Sequence, residues 1–239
     1  MTMVRGSQVD EDPHDLDRDG NSWVRNSKLS YVCFGLFGLF LLAQSLTGWR
    51  AYDADQRAHD ASTVGYVRYL TTGHFVEATF ENWESEFLQM AAFVLLTAFF
   101  IQKGSAESKK DHHDSTDEDP ARHTADPNAP WPVHRGGLAL KVYENSLVIA
   151  LVGLFALSLL GHALGGAREY SAEQVAHGGS AVGAARYVTT STFWFESFQN
   201  WQSEFLAVGS IIVLTIFLRQ RGSPESKPVH APHHQTGGG

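Results

Sequence analysis

LSYVCFGLFGLFLLAQSLTGW, residues 29–49, and LVIALVGLFALSLLGHALGGA, residues 147–167, decide how this chain is read. Neither contains an Asp, Glu, Lys or Arg. About 20 helical residues at 1.5 Å each cover the ~30 Å hydrocarbon layer of a bilayer. In lipid every backbone polar group must be paired within its own segment, so both stretches are predicted to be transmembrane helices. Two further apolar stretches, about 83–102 and 201–218, carry charge only near their starts, as at Glu84 and Glu86.

Working outward, the whole neighbourhood of the first stretch returns. Residues 29–109 laid on 147–227, a constant offset of 118, match at about 39 of 81 positions without a gap. Self-similarity at a fixed spacing signals a repeat architecture. The predicted fold is all-α: four transmembrane helices in two tandem two-helix modules, related by a pseudo-twofold axis along the membrane normal, with helical outer loops.

Charge gives the orientation. Thirteen of the 18 Lys and Arg lie in the N-terminal segment, the 103–146 linker and the C-terminal tail. The 30-odd-residue loops hold only Arg50, Arg57, Arg68, Arg168 and Arg186. The positive-inside rule places both termini and the linker in the cytoplasm. Both modules then cross in the same direction, unlike an inverted-repeat transporter.

The net charge of −8 and slightly negative mean hydropathy are those of a soluble acidic protein, but they average over unlike parts. Residues 1–28 form an acidic leader, 110–140 a His-bearing linker rich in Asp, Glu, Lys and Ser, and 228–239 a Gly-ending tail. Such compositions bury too little to offset ordering entropy, so all three are expected to be disordered spacers. The single Cys33 excludes disulfides and thiol relays. Gly-rich phosphate loops, HExxH and GxSxG are absent as well. No enzymatic activity, cofactor, metal site or nucleic-acid partner is predicted. The expected partners are the lipid bilayer and a further membrane protein or a second copy.

Polar positions kept in both repeats are the candidate site residues. The densest block, Arg68 to Leu88, contains Asn82-Trp83-x-Ser85-Glu86-Phe87-Leu88 and returns as Asn200-Trp201-x-Ser203-Glu204-Phe205-Leu206. Thr97 lies eleven residues beyond Glu86, about three turns on and within ~20° of the same face, and Thr215 repeats this. Asn82, Asn200, Glu86, Glu204, Thr97 and Thr215 thus form a candidate polar or ion site. Trp83 and Trp201 are candidate interfacial anchors. Two readings stay open. Asn82 and Asn200 cap their helices while Glu86 and Glu204 complement the dipole, or the two glutamates form a cation or proton site inside the membrane.

His162 replaces Gln44, a poor match for the paired axial ligands of a haem, and is expected to be a packed or hydrogen-bonded polar residue. His59 and His177 are expected to pack the loops. Gly35/Gly153 and Gly48/Gly166 are kept in both repeats, and small residues let helices approach closely.

The run from Gly73 to Gln89, with the Gly-Ser-x-Glu-Ser-Lys that follows each even span, resembles an uncharacterised bacterial family of small, internally duplicated integral membrane proteins. The resemblance covers about residues 29–227. It implies a bacterial inner-membrane location and carries over no activity. Function is therefore expected to be that of a structural or envelope-associated membrane protein or complex subunit, or alternatively of a small cation or proton channel or transporter using Glu86 and Glu204.

Overall fold

The computed structural model describes residues 26–110 and 114–237. Most of the acidic leader, together with His112 and His113, lies outside the described residues. Every regular element among the described residues is helical. The chain divides into two compact units, residues 1–66 and 67–239.

The first unit is a long helix with a strap. Helix α1, Lys28–Ala58, has 31 residues and ends where Asp60 turns to a φ of 54°. The strap then folds back on the last turns of α1. Trp49 donates its indole N–H to the Val64 carbonyl at 2.8 Å, and Val64 N–H donates to Asp53 Oδ1 at 3.1 Å. The hydroxyls of Ser45 and Tyr66 meet at 2.8 Å.

The short helix α2, Tyr66–Tyr69, leads across the boundary into the second unit, where α3 spans Gly73–Phe99. Two short helices, α4 (Trp131–Arg135) and α5 (Gly137–Glu144), precede the long helix α6, Ser146–Ala176. Helix α7, Ala184–Tyr187, and helix α8, Ser191–Phe217, complete the unit. Helices α1 and α6 each have 31 residues, and α3 and α8 each have 27.

Helices α3 and α8 begin about ten residues earlier than the apolar stretches suggested. Thr72 and Thr190 are their N-caps, each accepting a backbone N–H three residues on, from Phe75 and from Phe193. Both hydroxyls also donate to the preceding turn, to Tyr69 O and Tyr187 O at 2.7 Å. This removes capping as the role of Asn82 and Asn200, one of the two readings open from sequence, because both lie in helix interiors. Glu86 and Glu204 are likewise far from the first turn, where a helix dipole acts.

Helix α3 packs along α6, backbone against backbone. A Cβ at Gly165 would meet Glu77 N at 2.5 Å, one at Gly73 would meet Glu169 N at 2.7 Å, and Gly161 lies under the Phe80 ring. Gly161 and Gly165 are four apart on one face, the small-xxx-small spacing that brings helices together in lipid. Gly166 makes room for the Tyr187 ring. Gly35 and Gly153, kept in both repeats, face open space.

Among the described residues three helices are long and apolar enough to cross a membrane: Lys28–Ala58, Ser146–Ala176 and Ser191–Phe217. This corrects the expected four. Helix α3 has the length, but Glu77, Glu81, Glu84 and Glu86 make its first half too polar. Burial in the second unit is inverted relative to a water-soluble domain. Leu157, Leu206 and Phe217 are at least 59% exposed, whereas Glu84 and His162 are 0% exposed. Exposed apolar surface on this scale marks a lipid or protein contact.

Between α3 and α6 the linker forms local turns fixed by Asp side chains. Asp114 accepts from Thr116 N and Lys110 N, and Asp119 accepts from Ala121 N. Those hydrogen bonds hold the Asp114 carboxyl below its ordinary value. The tail differs from the expected spacer, because Lys227 is buried and its ammonium organises it. Lys227 Nζ donates to the carbonyls of Gly104, Ile216, His233 and Gln235 at 2.5–3.2 Å, tying residues 228–237 to the ends of α3 and α8.

Candidate functional site: a buried carboxylate–histidine cluster

Three carboxylates of α3, Glu77, Glu81 and Glu84, sit at positions i, i+4 and i+7 and therefore share one face. They point at His162, which α6 places among apolar residues of its own turn. His162 Nδ1 lies 2.8 Å from Glu84 Oε2, with both side chains fully buried. A carboxylate offers only acceptors at this contact, so Nδ1 carries the hydrogen and the second ring nitrogen, Nε2, faces the other way. Nε2 lies 3.4 Å from Glu196 Oε2 on α8.

The surroundings lock this arrangement. Trp201 donates its indole N–H to Glu84 Oε1 at 3.0 Å, leaving both oxygens of that carboxylate engaged. Asn200 Nδ2 donates to Glu81 Oε1 and to the Glu196 carbonyl. The fully buried Tyr187 places its hydroxyl against Glu196 Oε2 and 3.0 Å from Glu77 Oε1. Burial, then the bond to Glu196, raises the Tyr187 phenol above its ordinary range and keeps it protonated. Phe193 stacks on the imidazole at 4.7 Å. Glu77, His162 and Glu196 each bring one ligand-type atom within 4.8 Å of the other two.

Of the sequence candidates, Asn200 and Trp201 belong to this cluster, and Trp201 turns its indole N–H toward Glu84. Glu86 is exposed and Glu204 half-buried; they lie within electrostatic reach of each other but outside the hydrogen-bonded network. Asn82 is exposed and Trp83 half-buried. Thr97 bonds its own helix at Phe93 O, 2.9 Å, while Thr215 reaches Ser105 Oγ at 3.0 Å near the linker. His162 is packed and hydrogen-bonded, as its isolation in an apolar span suggested.

The within-chain comparison does not mark Glu77, Glu81, Glu84 and Glu196, because each differs at offset 118. Their counterparts at offset 118 are Phe195, Gln199, Gln202 and, for Glu196, Ala78. The signal that could have found them is the one-face Glu77-Glu81-Glu84 spacing together with a lone histidine in a span.

No curated protein and no solved structure matches the chain significantly. A family described as a domain of unknown function, DUF6766, matches residues 20–238. With nearly its whole length inside that match, the chain is a member of the DUF6766 family.

Proposed function

We propose that this is a multi-pass integral membrane protein of the bacterial inner membrane whose working part is the buried carboxylate–histidine cluster, a site that takes up a cation within the helix bundle. The observation that carries the reading is the complete burial of His162 and Glu84, with three further glutamates gathered around the imidazole. An ionisable group at mid-span costs about 2.5–3.5 kcal/mol on insertion scales, so its presence points to use. Among the described residues no Lys or Arg forms an ion pair with the cluster, leaving His162 as the basic side chain within it. The remaining negative charge calls for protons or a bound cation.

Helix α3 accompanies α6 into the bilayer with its carboxylates turned away from lipid, which the backbone contact at Gly165 supports. Both termini and the linker are cytoplasmic, and the two repeats descend from one duplicated module. The latter is supported by paired hydrogen bonds such as Gln102 N to Ser108 Oγ and Gln220 N to Ser226 Oγ. Reporter fusions at Lys109 and Ser226 should give cytoplasmic signals, and fusions near His59 and His177 extracytoplasmic ones.

A second reading, a structural subunit of a larger membrane complex, is favoured by the mutual satisfaction of Glu84, Trp201, Glu81 and Asn200. A saturated network of this kind rigidifies a core without further function. Proton and cation flux in proteoliposomes separates the two. The cation reading expects flux in the wild type that falls at least tenfold in Glu77→Gln and Glu196→Gln, and the structural reading expects none in any of them.

A further inference from the structure

We propose that Glu77, Glu196 and the Nε2 atom of His162 form a binding site for one first-row divalent metal ion of the zinc, manganese or ferrous class, with Glu84 orienting the imidazole and Tyr187 positioning the two carboxylates. This deepens the cation reading and rests on it.

Geometry is the first argument. The three ligand-type atoms lie within 4.8 Å of one another, and His162 Nε2 is 3.4 Å from Glu196 Oε2. Metal–ligand bonds of about 2.0–2.2 Å in a tetrahedron put neighbouring ligand atoms about 3.3–3.6 Å apart. A modest contraction around Glu77 completes the set. Backbone crowding supports that approach, because Gly165 brings α6 against Glu77 N and Gly166 admits Tyr187.

The partners of His162 are the second argument. A metal-bound histidine commonly donates its other ring N–H to a carboxylate, which fixes the tautomer and strengthens the donor nitrogen. Glu84 does this at Nδ1, and Trp201 in turn holds Glu84. Tyr187 supplies the third argument. Its hydroxyl lies within reach of both Glu77 and Glu196 but has a single hydrogen to donate. One of two anionic oxygens is therefore left without that hydrogen, and a cation shared by the two carboxylates relieves the conflict.

Donor chemistry sets the metal class. One imidazole and two carboxylates, without sulfur, suit zinc, manganese or ferrous iron and not cuprous copper. Two carboxylates balance the charge of a dication. Three protein ligands leave at least one position open, the arrangement of a reactive or exchanging site and not of a closed structural one.

The test uses the full chain in detergent, depleted with a chelator and titrated with Co²⁺, whose visible bands report nitrogen and oxygen coordination, and with Zn²⁺. The wild type should bind one equivalent. Glu196→Gln should weaken binding at least tenfold, Glu84→Gln by 10–100-fold through the imidazole, and Glu86→Gln not at all. Should Glu196→Gln fail to fold, Glu84→Gln and Tyr187→Phe decide, with unchanged affinity in both overturning the site. Failure of folded wild type to bind either ion, or equal binding by Glu196→Gln, also overturns it, the latter assigning the metal to the histidines of the linker and tail. If the wild type binds no metal while flux still depends on Glu77, the metal is removed and the cation reading stands. Flux independent of Glu77 removes that reading itself.

Discussion

His162 Nδ1 and Glu84 Oε2 meet at 2.8 Å across the α3–α6 interface with no solvent exposure on either side chain. The contact joins the middle of one helix to the middle of the other, so both the register and the spacing of the pair depend on it. Breaking a buried pair by removing one partner leaves the other desolvated and uncompensated, which costs about 3–5 kcal/mol. His162→Ala and Glu84→Ala should each lower stability by that amount in thermal unfolding. The double variant should lose less than the sum of the two, since its second substitution removes an already orphaned group.

Glycine packing gives a prediction independent of charge. A Cβ at Gly165 meets the backbone of Glu77, which cannot rotate away, so Gly165→Ala should destabilise by about 1–3 kcal/mol. Gly153, on the same helix, faces open space. Gly153→Ala should be neutral or slightly stabilising, because alanine favours the helix by about 1 kcal/mol over glycine. Equal effects at the two positions would contradict the close approach of α3 and α6.

Caps separate the two descriptions of where α3 and α8 begin. Thr72→Ala and Thr190→Ala should each cost about 1 kcal/mol, the typical value for a lost N-cap. The exposed, interior Asn82 should tolerate alanine with a change within about 0.5 kcal/mol. Chemical denaturation of the purified variants measures both.

The segments that follow α3 and α8 carry a pH dependence. Glu107 lies beside Glu225, and its Oε1 is buried without a partner. Burial, then the Glu225 charge, raises its carboxyl above the ordinary 4.5. The folded state thus holds this proton more tightly than the unfolded one. Stability from Glu107 is present below pH 4.5 and declines as pH rises through the raised value. Glu107→Gln should therefore raise the melting temperature at pH 8 and bring little gain at pH 4, which a pair of melting curves checks.

The apolar face of the chain was plain in its letters and the polar core was not. Residues 29–49 and 147–167 announce helices through the absence of charge, and both lie within 31-residue helices. Helix starts differ from the apolar boundaries because Thr72 and Thr190 precede mixed turns, residues 73–82 and 191–200, while hydropathy registers only the apolar part. Trp201 and Asn200 were found through their recurrence, yet their partners Glu84 and Glu81 differ between the repeats and carry no such mark. Which helices pack together is a tertiary fact. The pairing of α3 with α6 has no counterpart in the order of the residues.

That pairing makes the cluster a property of neither repeat. The first repeat supplies Glu77, Glu81 and Glu84 but has Gln44 where the histidine is needed; the second supplies His162 and Glu196 but has Phe195, Gln199 and Gln202 in place of the three glutamates. Two copies of either half, assembled side by side, would reproduce the scaffold and lack the site. The two segments are complementary parts of one site, so neither can be discarded or overwritten by the other. A chain cut within the linker should regain the cluster only when its two unlike fragments are made in the same cell.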